Sequence, residues 1–285
     1  VLAAIGIALL LRGSKAELTV EEVTGTDPTL AEPNSEWFPT IRVAEPVGWA
    51  DGEKPEAAKG LQVVRFAEGL DHPRIIYRLP NGDILVTLTN SPPRDVGGIE
   101  GFIMKRLMGK AGAGEPSPNK LVLLRDTNGD GRADVKKVVR EAGLDSPSGV
   151  AYRDGTLYVA NHNALIAFDY ELGSTQISGK PRKLLDLPGG GNHWMRNIIL
   201  SPDGSKIYVA VGSASNIGEQ GMEAEEGRAM IWEHDLEEGS SRPYATGLRN
   251  ANGLAWNPLS GELWTTVNER DMLGGDLVPD YLTNV

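Results

Sequence analysis

One phrase occurs four times in these 285 residues, and a chain that repeats itself at such a spacing has few ways to bury its apolar side chains. The copies are Gly69 to Thr87 (GLDHPRIIYRLPNGDILVT), Gly143 to Ala160 (GLDSPSGVAYRDGTLYVA), Gly189 to Asn216 (GGGNHWMRNIILSPDGSKIYVAVGSASN) and Gly247 to Thr266 (GLRNANGLAWNPLSGELWTT). Each reads as a loop, an apolar strand, a tight turn and a second strand. In the third copy the alternation of Ile207, Val209 and Val211 is the period-two pattern of a half-buried strand. The starts at 69, 143, about 190 and 247 are spaced by 74, 47 and 57 residues. A period near 40–50 residues with four strands per unit is that of propeller blades. The expectation is therefore an all-β fold, a β-propeller with about four blades in residues 61–285. The long first spacing is assigned to an insertion at 91–118, where Lys105, Arg106 and Lys110 beside Phe102, Ile103 and Leu107 suit a short helix.

In a propeller the loop that opens each blade faces the central channel. The variable residues of the repeated loops are then expected to share one pocket: His72 and Arg74, Ser146 and Ser148, His193 and Arg196, Arg249 and Asn250. The residues that end the second strand of each phrase, Asn90, Asn161, Asn216 and Asn268, are expected near the same place.

Composition narrows the functions. A net charge of -11 argues against nucleic acid, whose binding surface needs a Lys/Arg excess. The absence of cysteine removes disulfides, thiolate metal sites and Cys nucleophiles. Residues 1–11 (VLAAIGIALLL) are uninterrupted apolar and read as part of a signal peptide or membrane anchor, so the expected location is the periplasm or another extracytoplasmic space, with the protein tethered to the membrane. Residues 12–60 read as a linker and irregular lead-in containing Trp37 and Trp49.

Three local patterns carry chemistry. Asp126 to Asp134 (DTNGDGRAD) offers oxygens at positions 1, 3, 5 and 9, with Gly131 at the sharp turn. Asp126, Asn128, Asp130, the Arg132 carbonyl and Asp134 are the expected ligands of a structural Ca²⁺ in a hairpin, and an ion-free Asx turn is the alternative. His193, one of four histidines, follows three glycines and precedes Trp194 and Arg196, where an imidazole can serve as a base. Glu223 to Glu226 is either a solvated acidic loop or a rim of the site. No HExxH, GxSxG or Walker-type loop occurs, and Gly212 to Gly218 lacks the spacing of a dinucleotide loop.

Together with EEGRAMIWE and TTVNERDMLGGDLVPDYL, these motifs resemble the PQQ-dependent glucose/sorbosone dehydrogenase family, in particular its L-sorbosone dehydrogenase-like branch, from about Leu61 onward. The resemblance implies a six-bladed propeller, of which this chain is a fragment, that holds pyrroloquinoline quinone (PQQ) and Ca²⁺ on the channel axis. It implies a sugar or sugar-derived aldehyde as substrate and a cytochrome or quinone as external electron acceptor. His193 matches the general base, and Arg74 resembles an arginine that contacts the cofactor. Asn161, Asn216 and Asn268 are placed among the cofactor contacts with Arg249 and Arg270. The Glu269 and Arg270 carbonyls correspond to those that bind the catalytic Ca²⁺. The soluble glucose dehydrogenases carry Arg-Asn where this chain has Ser215-Asn216, so charge stabilisation is assigned to Arg196 or Arg249. They carry Gly-Pro where this chain has Glu269-Arg270. A calcium-dependent propeller lactonase and a non-catalytic carbohydrate-binding propeller are the alternative readings.

Overall fold

The computed structural model describes residues 15–32, 34, 43–93, 98–112, 114–272, 274–276 and 278–285, with only the backbone at 99, 100, 103 and 104. The apolar segment 1–11 lies outside the described residues. No described helix is long and apolar enough to cross a membrane.

Four antiparallel meanders follow one another. The first contains β1 (Pro73–Arg78), β2 (Ile84–Leu88), β3 (Lys120–Arg125) and β4 (Val135–Arg140), with helix α1 (Gly98–Lys110) inserted between β2 and β3. The helix falls inside the insertion where the sequence suggested one. The second contains β5 (Gly149–Arg153), β6 (Thr156–Asn161), β7 (Ala164–Asp169) and β8 (Arg182–Asp186). The third contains β9 (Ile198–Leu200), β10 (Lys206–Val211), β11 (Met230–Asp235) and β12 (Ser241–Thr246). The fourth contains β13 (Ala251–Trp256), β14 (Leu263–Val267) and β15 (Tyr281–Asn284). The opening strands touch in order, β1 to β5, β5 to β9 and β9 to β13, so the sheets are consecutive blades of a propeller.

Strand alternation explains how the blades adhere. In β6, Leu157 and Val159 enter a core shared with Leu85, Leu121 and Leu123 of the first blade. Their neighbours Tyr158 and Ala160 point the other way, into a core with Ile207, Val209 and Val211 of the third. A third core joins Tyr208, Ala210 and Ile231 to Ala251, Leu263 and Val267. The first three sheets are apolar on both faces because both are covered. On the first blade's other face Phe66, Ala67 and Leu70, just before β1, pack against Val86, Leu88, Val122 and Leu124.

The repeat is also a repeat of backbone conformation. Gly69, Gly143 and Gly247 have φ of 66°, 82° and 81°, a left-handed geometry that costs glycine little. Three residues later His72 and Ser146 share it at 47° and 44°. The strand-end amides then fold back onto the loops, Thr89 N–H to His72 O at 3.0 Å and His162 N–H to Asp145 O at 3.1 Å.

Candidate active site at the blade-opening loops

The opening loops converge. From the first blade the Arg74 guanidinium reaches the third, 5.5 Å from the Trp194 ring centroid, with Nη1 3.9 Å from Met195 Sδ. From the second, Ser148 Oγ accepts the Arg196 N–H at 2.7 Å and donates to the Arg196 carbonyl at 3.2 Å. Between the third and fourth, Ser213 N–H donates to Arg249 O at 2.7 Å. At Gly212 a Cβ would stand 2.5 Å from both His193 Cβ and Asn250 Oδ1, so the absence of a side chain is what lets these two residues meet the strand end.

His193 is half-buried, and its partners determine its tautomer. Nδ1 lies 2.9 Å from Ser213 O and 3.0 Å from Ser213 Oγ. A carbonyl only accepts, and the Ser213 hydroxyl hydrogen is directed to Ser215 O at 2.7 Å. The network therefore assigns the proton to Nδ1 and makes Nε2 the basic nitrogen. The serines are held in turn by Glu225. Its carboxylate accepts Ala214 N–H at 2.6 Å, Ser215 N–H at 3.0 Å and Ser215 Oγ–H at 2.6 Å. Burial opposes ionisation of Glu225, but the Ser215 hydroxyl, the two amides and the nearby Arg228 together lower its pKa.

Arg196 acts as an internal clamp. It is fully buried, and its guanidinium donates to the carbonyls of His193 (2.8 Å), Met195 (2.9 Å) and Pro188 (2.7 Å). Burial, and then the neighbouring Arg228 charge, push its pKa down to about 9. Arg228 clamps the same glycine-rich loop by donating to Gly189 O. The loop that carries His193 thus exchanges backbone partners for two arginines, the arrangement expected where consecutive carbonyls have no strand neighbour.

Asn216, Arg249 and the strand end at Asn268 form one cluster. Arg249 Nε donates to Asn216 O at 2.8 Å, Nη2 to Asn216 Oδ1 at 2.6 Å, and Nη1 to the carbonyls of Asn268 (3.1 Å) and Glu269. Nη2 also pairs with Asp271 at 3.0 Å. Asn216 Nδ2 donates to Asp271 O at 2.7 Å, and Asn268 Nδ2 donates to Asp280 at 3.0 Å. Arg270 follows in the chain, half-buried.

Other expected residues stand apart. Asn161 is buried, with Oδ1 accepting Asp145 N–H at 3.0 Å and Nδ2 donating to Gly143 O at 3.1 Å. Its amide is spent on its own blade's opening loop. In the hairpin, Asp126 accepts Gly129 N–H at 2.7 Å and Gly131 N–H at 2.8 Å. Asp134 is engaged by Thr127 Oγ1 at 2.8 Å, and Asp130 accepts Arg132 N–H at 2.9 Å. Among the described residues no three His, Cys, Asp or Glu side chains gather as a metal site would require. A cavity of about 610 Å³ lies between the lead-in and the first blade, lined by Val64, Phe66, Arg132 and Lys136 among others, and shares no residue with the loop cluster.

Sequence reasoning offered the acidic run 223–226 as either a solvated loop or a rim of the site but gave no individual role to Ser213, Glu225 or Arg228. The only signal was positional: Ser213 directly follows a strand and a glycine, and the acidic run 223–226 precedes the next strand.

The sequence profile of the TrAA12-like family matches residues 120–279. No curated protein matches the sequence. Two structures of the Trichoderma reesei Carbohydrate-Active Enzymes Family AA12 protein superpose on 86% of the chain. The iodide structure does so with a TM-score of 0.61 and 18% identity, the calcium structure with 0.59 and 20%. The PQQ domain of pyranose dehydrogenase from Coprinopsis cinerea, in its holo form, superposes on 76% with a TM-score of 0.56 and 20% identity. The chain spans about half the length of these structures, 57% of the Trichoderma protein and 48% of the Coprinopsis domain. With its four consecutive blades and a profile match over more than half its length, the chain belongs to the TrAA12-like family.

Proposed function

We propose that this chain is part of a quinoprotein dehydrogenase that oxidises a sugar or sugar-derived aldehyde, with PQQ as cofactor and an external electron acceptor. The observation that carries the reading is His193, seated at the converging loops with its proton on Nδ1 and its basic Nε2 set by the Ser213 contacts. Family membership and the likeness to the PQQ domain of the Coprinopsis pyranose dehydrogenase support the choice of cofactor.

The residues present fit a planar polyanionic quinone. Arg74 supplies positive charge at the converging loops, and Gly212 leaves the strand end without a side chain. When bound, the quinone supplies the two-electron acceptor for hydride. His193 takes the hydroxyl proton of the substrate at Nε2, and Ser213 keeps the ring oriented while its Nδ1–H stays in place. Arg74 would pair with a carboxylate of the cofactor, while Arg249, whose donors are taken by Asn216, Asn268, Glu269 and Asp271, orders the strand end beside the site. The buried Trp194 excludes water beneath Arg74.

The residues do not fit a calcium ion at Glu269. Its carbonyl and that of Asn268 accept Arg249 Nη1, and a guanidinium at those oxygens repels a dication. No step is therefore assigned to Ca²⁺.

Segment 1–11 supports an extracytoplasmic location with membrane attachment. The decisive test is reconstitution of the full-length protein with PQQ and measurement of dye reduction with aldoses and sorbosone. Reduction that His193→Ala abolishes is expected; PQQ-independent lactone hydrolysis overturns the reading.

A further inference from the structure

We propose that Glu225 is a positioning residue for His193, acting through Ser215 and Ser213. The catalytic half of this inference rests on the dehydrogenase reading; the structural half does not.

The contacts form an unbroken series. Glu225 Oε1 accepts both the backbone N–H (3.0 Å) and the hydroxyl (2.6 Å) of Ser215, and Oε2 accepts Ala214 N–H at 2.6 Å. Ser215 O accepts the Ser213 hydroxyl at 2.7 Å, and Ser213 presents two oxygens to His193 Nδ1. A carboxylate with three donors directed at it fixes the turn at residues 213–215 more firmly than any neutral side chain, because each hydrogen bond is charge-assisted. That turn is not part of a strand ladder, since β10 ends at Val211. Without Glu225 the two buried amides lose their acceptors.

Glu225 also binds the two sides of the histidine's seat together. The Ala214 carbonyl accepts Asn192 N–H at 2.7 Å, which secures the residue before His193. Arg228 lies close enough to interact electrostatically with Glu225, and it donates to Gly189 O in the glycine-rich loop. One carboxylate thus holds the turn that accepts the Nδ1 proton and stands beside the cation that holds the loop carrying the ring. Of the acidic run 223–226, Glu225 alone makes side-chain bonds to this turn among the described contacts.

The consequence is a defined imidazole. With Ser213 O and Oγ both accepting, His193 is held as the Nδ1–H tautomer, and its basicity is directed through Nε2. Loss of the Glu225 bonds frees Ser213 to rotate, and its hydroxyl can then donate to Nδ1. The imidazole then shifts toward the Nε2–H form, which cannot accept the substrate proton.

The test is long-range nitrogen–proton correlation NMR of the histidine side chains in the full-length protein. The expected wild-type result is His193 protonated at Nδ1 near neutral pH. In Glu225→Gln and Glu225→Ala the His193 signals move toward the Nε2–H pattern, while those of His162 and His234 stay in place as internal controls. Ser215→Ala, which keeps both backbone bonds to the carboxylate, gives a smaller shift in the same direction. In the PQQ-reconstituted enzyme kcat falls about tenfold or more in Glu225→Ala while KM changes less than about twofold, and Glu225→Asp recovers part of the loss. Wild-type His193 found protonated at Nε2, or unchanged His193 signals in Glu225→Ala, overturns the proposal; the first result decides even if the variants fail to fold. A wild-type protein that shows the expected tautomer but reduces no dye overturns the dehydrogenase reading and leaves the positioning role standing. Full activity in Glu225→Ala does the reverse.

Discussion

The guanidinium of Arg74, in the first blade, lies 5.5 Å from the ring centroid of Trp194, in the third. The two residues are 120 positions apart and belong to sheets that are not sequence neighbours, so the contact reports the inward convergence of the loops. Arg74 is exposed while Trp194 is buried, which makes the pair a lid of charge over an apolar floor. An exposed cation–π contact contributes about 0.5–1 kcal/mol. Arg74→Ala is therefore expected to lower stability by no more than about 1 kcal/mol in urea unfolding. Its larger effect is on the affinity for PQQ, read by quenching of Trp fluorescence, and Arg74→Lys restores only part of it.

Gly212→Ala tests the close approach at the strand end. The new methyl would stand 2.5 Å from His193 Cβ and Asn250 Oδ1, so one of the two must move. A cost of about 1–3 kcal/mol is expected from overpacking. Dye reduction should fall further than stability predicts, because the displaced group is the proposed base; activity equal to wild type would contradict the site as drawn.

Arg196→Met removes the donor from three carbonyls at once. Each unsatisfied buried acceptor costs about 1–3 kcal/mol, so a loss of about 3 kcal/mol or more is expected. The measurement is the shift in denaturant midpoint, with hydrogen exchange at residues 189–195 to locate the loosening. A small, activity-only effect would favour a catalytic role for Arg196.

Acid should destabilise the fold through Asp83 and Glu233. The Arg125 guanidinium lowers the pKa of Asp83 against the opposing effect of burial. Burial works against Glu233 as well, and Lys206, Tyr208 and Arg242 outweigh it. Both groups bind a proton more weakly folded than unfolded, so protonation favours the unfolded chain. Their contribution is complete above the unfolded carboxylate values near pH 4 and is lost as pH falls through the lower folded values. Urea midpoints measured from about pH 6 to about pH 3 should drop below about pH 4, and Asp83→Asn should flatten part of that slope.

Chelation supplies a further check. Dye reduction by the PQQ-loaded protein should persist in EDTA if Arg249 occupies the Glu269 carbonyl, and Arg249→Ala should create a calcium dependence. Loss of activity in EDTA with the wild type would show that the guanidinium yields to the ion.

The propeller was legible because its signals are local and repeated. Gly69, Gly143 and Gly247 mark a left-handed backbone position, and the two-residue alternation of Leu157 to Ala160 assigns side chains to opposite faces. Convergence of Arg74 with the His193 loop, and of Asn216 with Arg249 and Asn268, followed from the topology once the repeat was recognised. For Arg196 and Asn161 the sequence offers only polarity in a loop, which suggests a ligand contact. In fact their donors are consumed by carbonyls of irregular backbone, which only tertiary structure locates. Glu225 was hidden for a related reason: in a run of acids nothing local marks the one whose carboxylate turns inward. The calcium oxygens at Glu269 were obscured differently, since which carbonyls an arginine 20 residues away will occupy is not encoded in spacing.

The opposed faces of β6 have a mechanical meaning. Because Leu157 and Val159 belong to one core and Tyr158 and Ala160 to the next, the strand is a party wall, and neither adjoining core can melt without exposing it. Unfolding should therefore spread between neighbours as a zipper does, with central strands exchanging their amide protons last. A substitution as small as Ala160→Gly would be felt on one side, and one that tilts the strand would be felt on both.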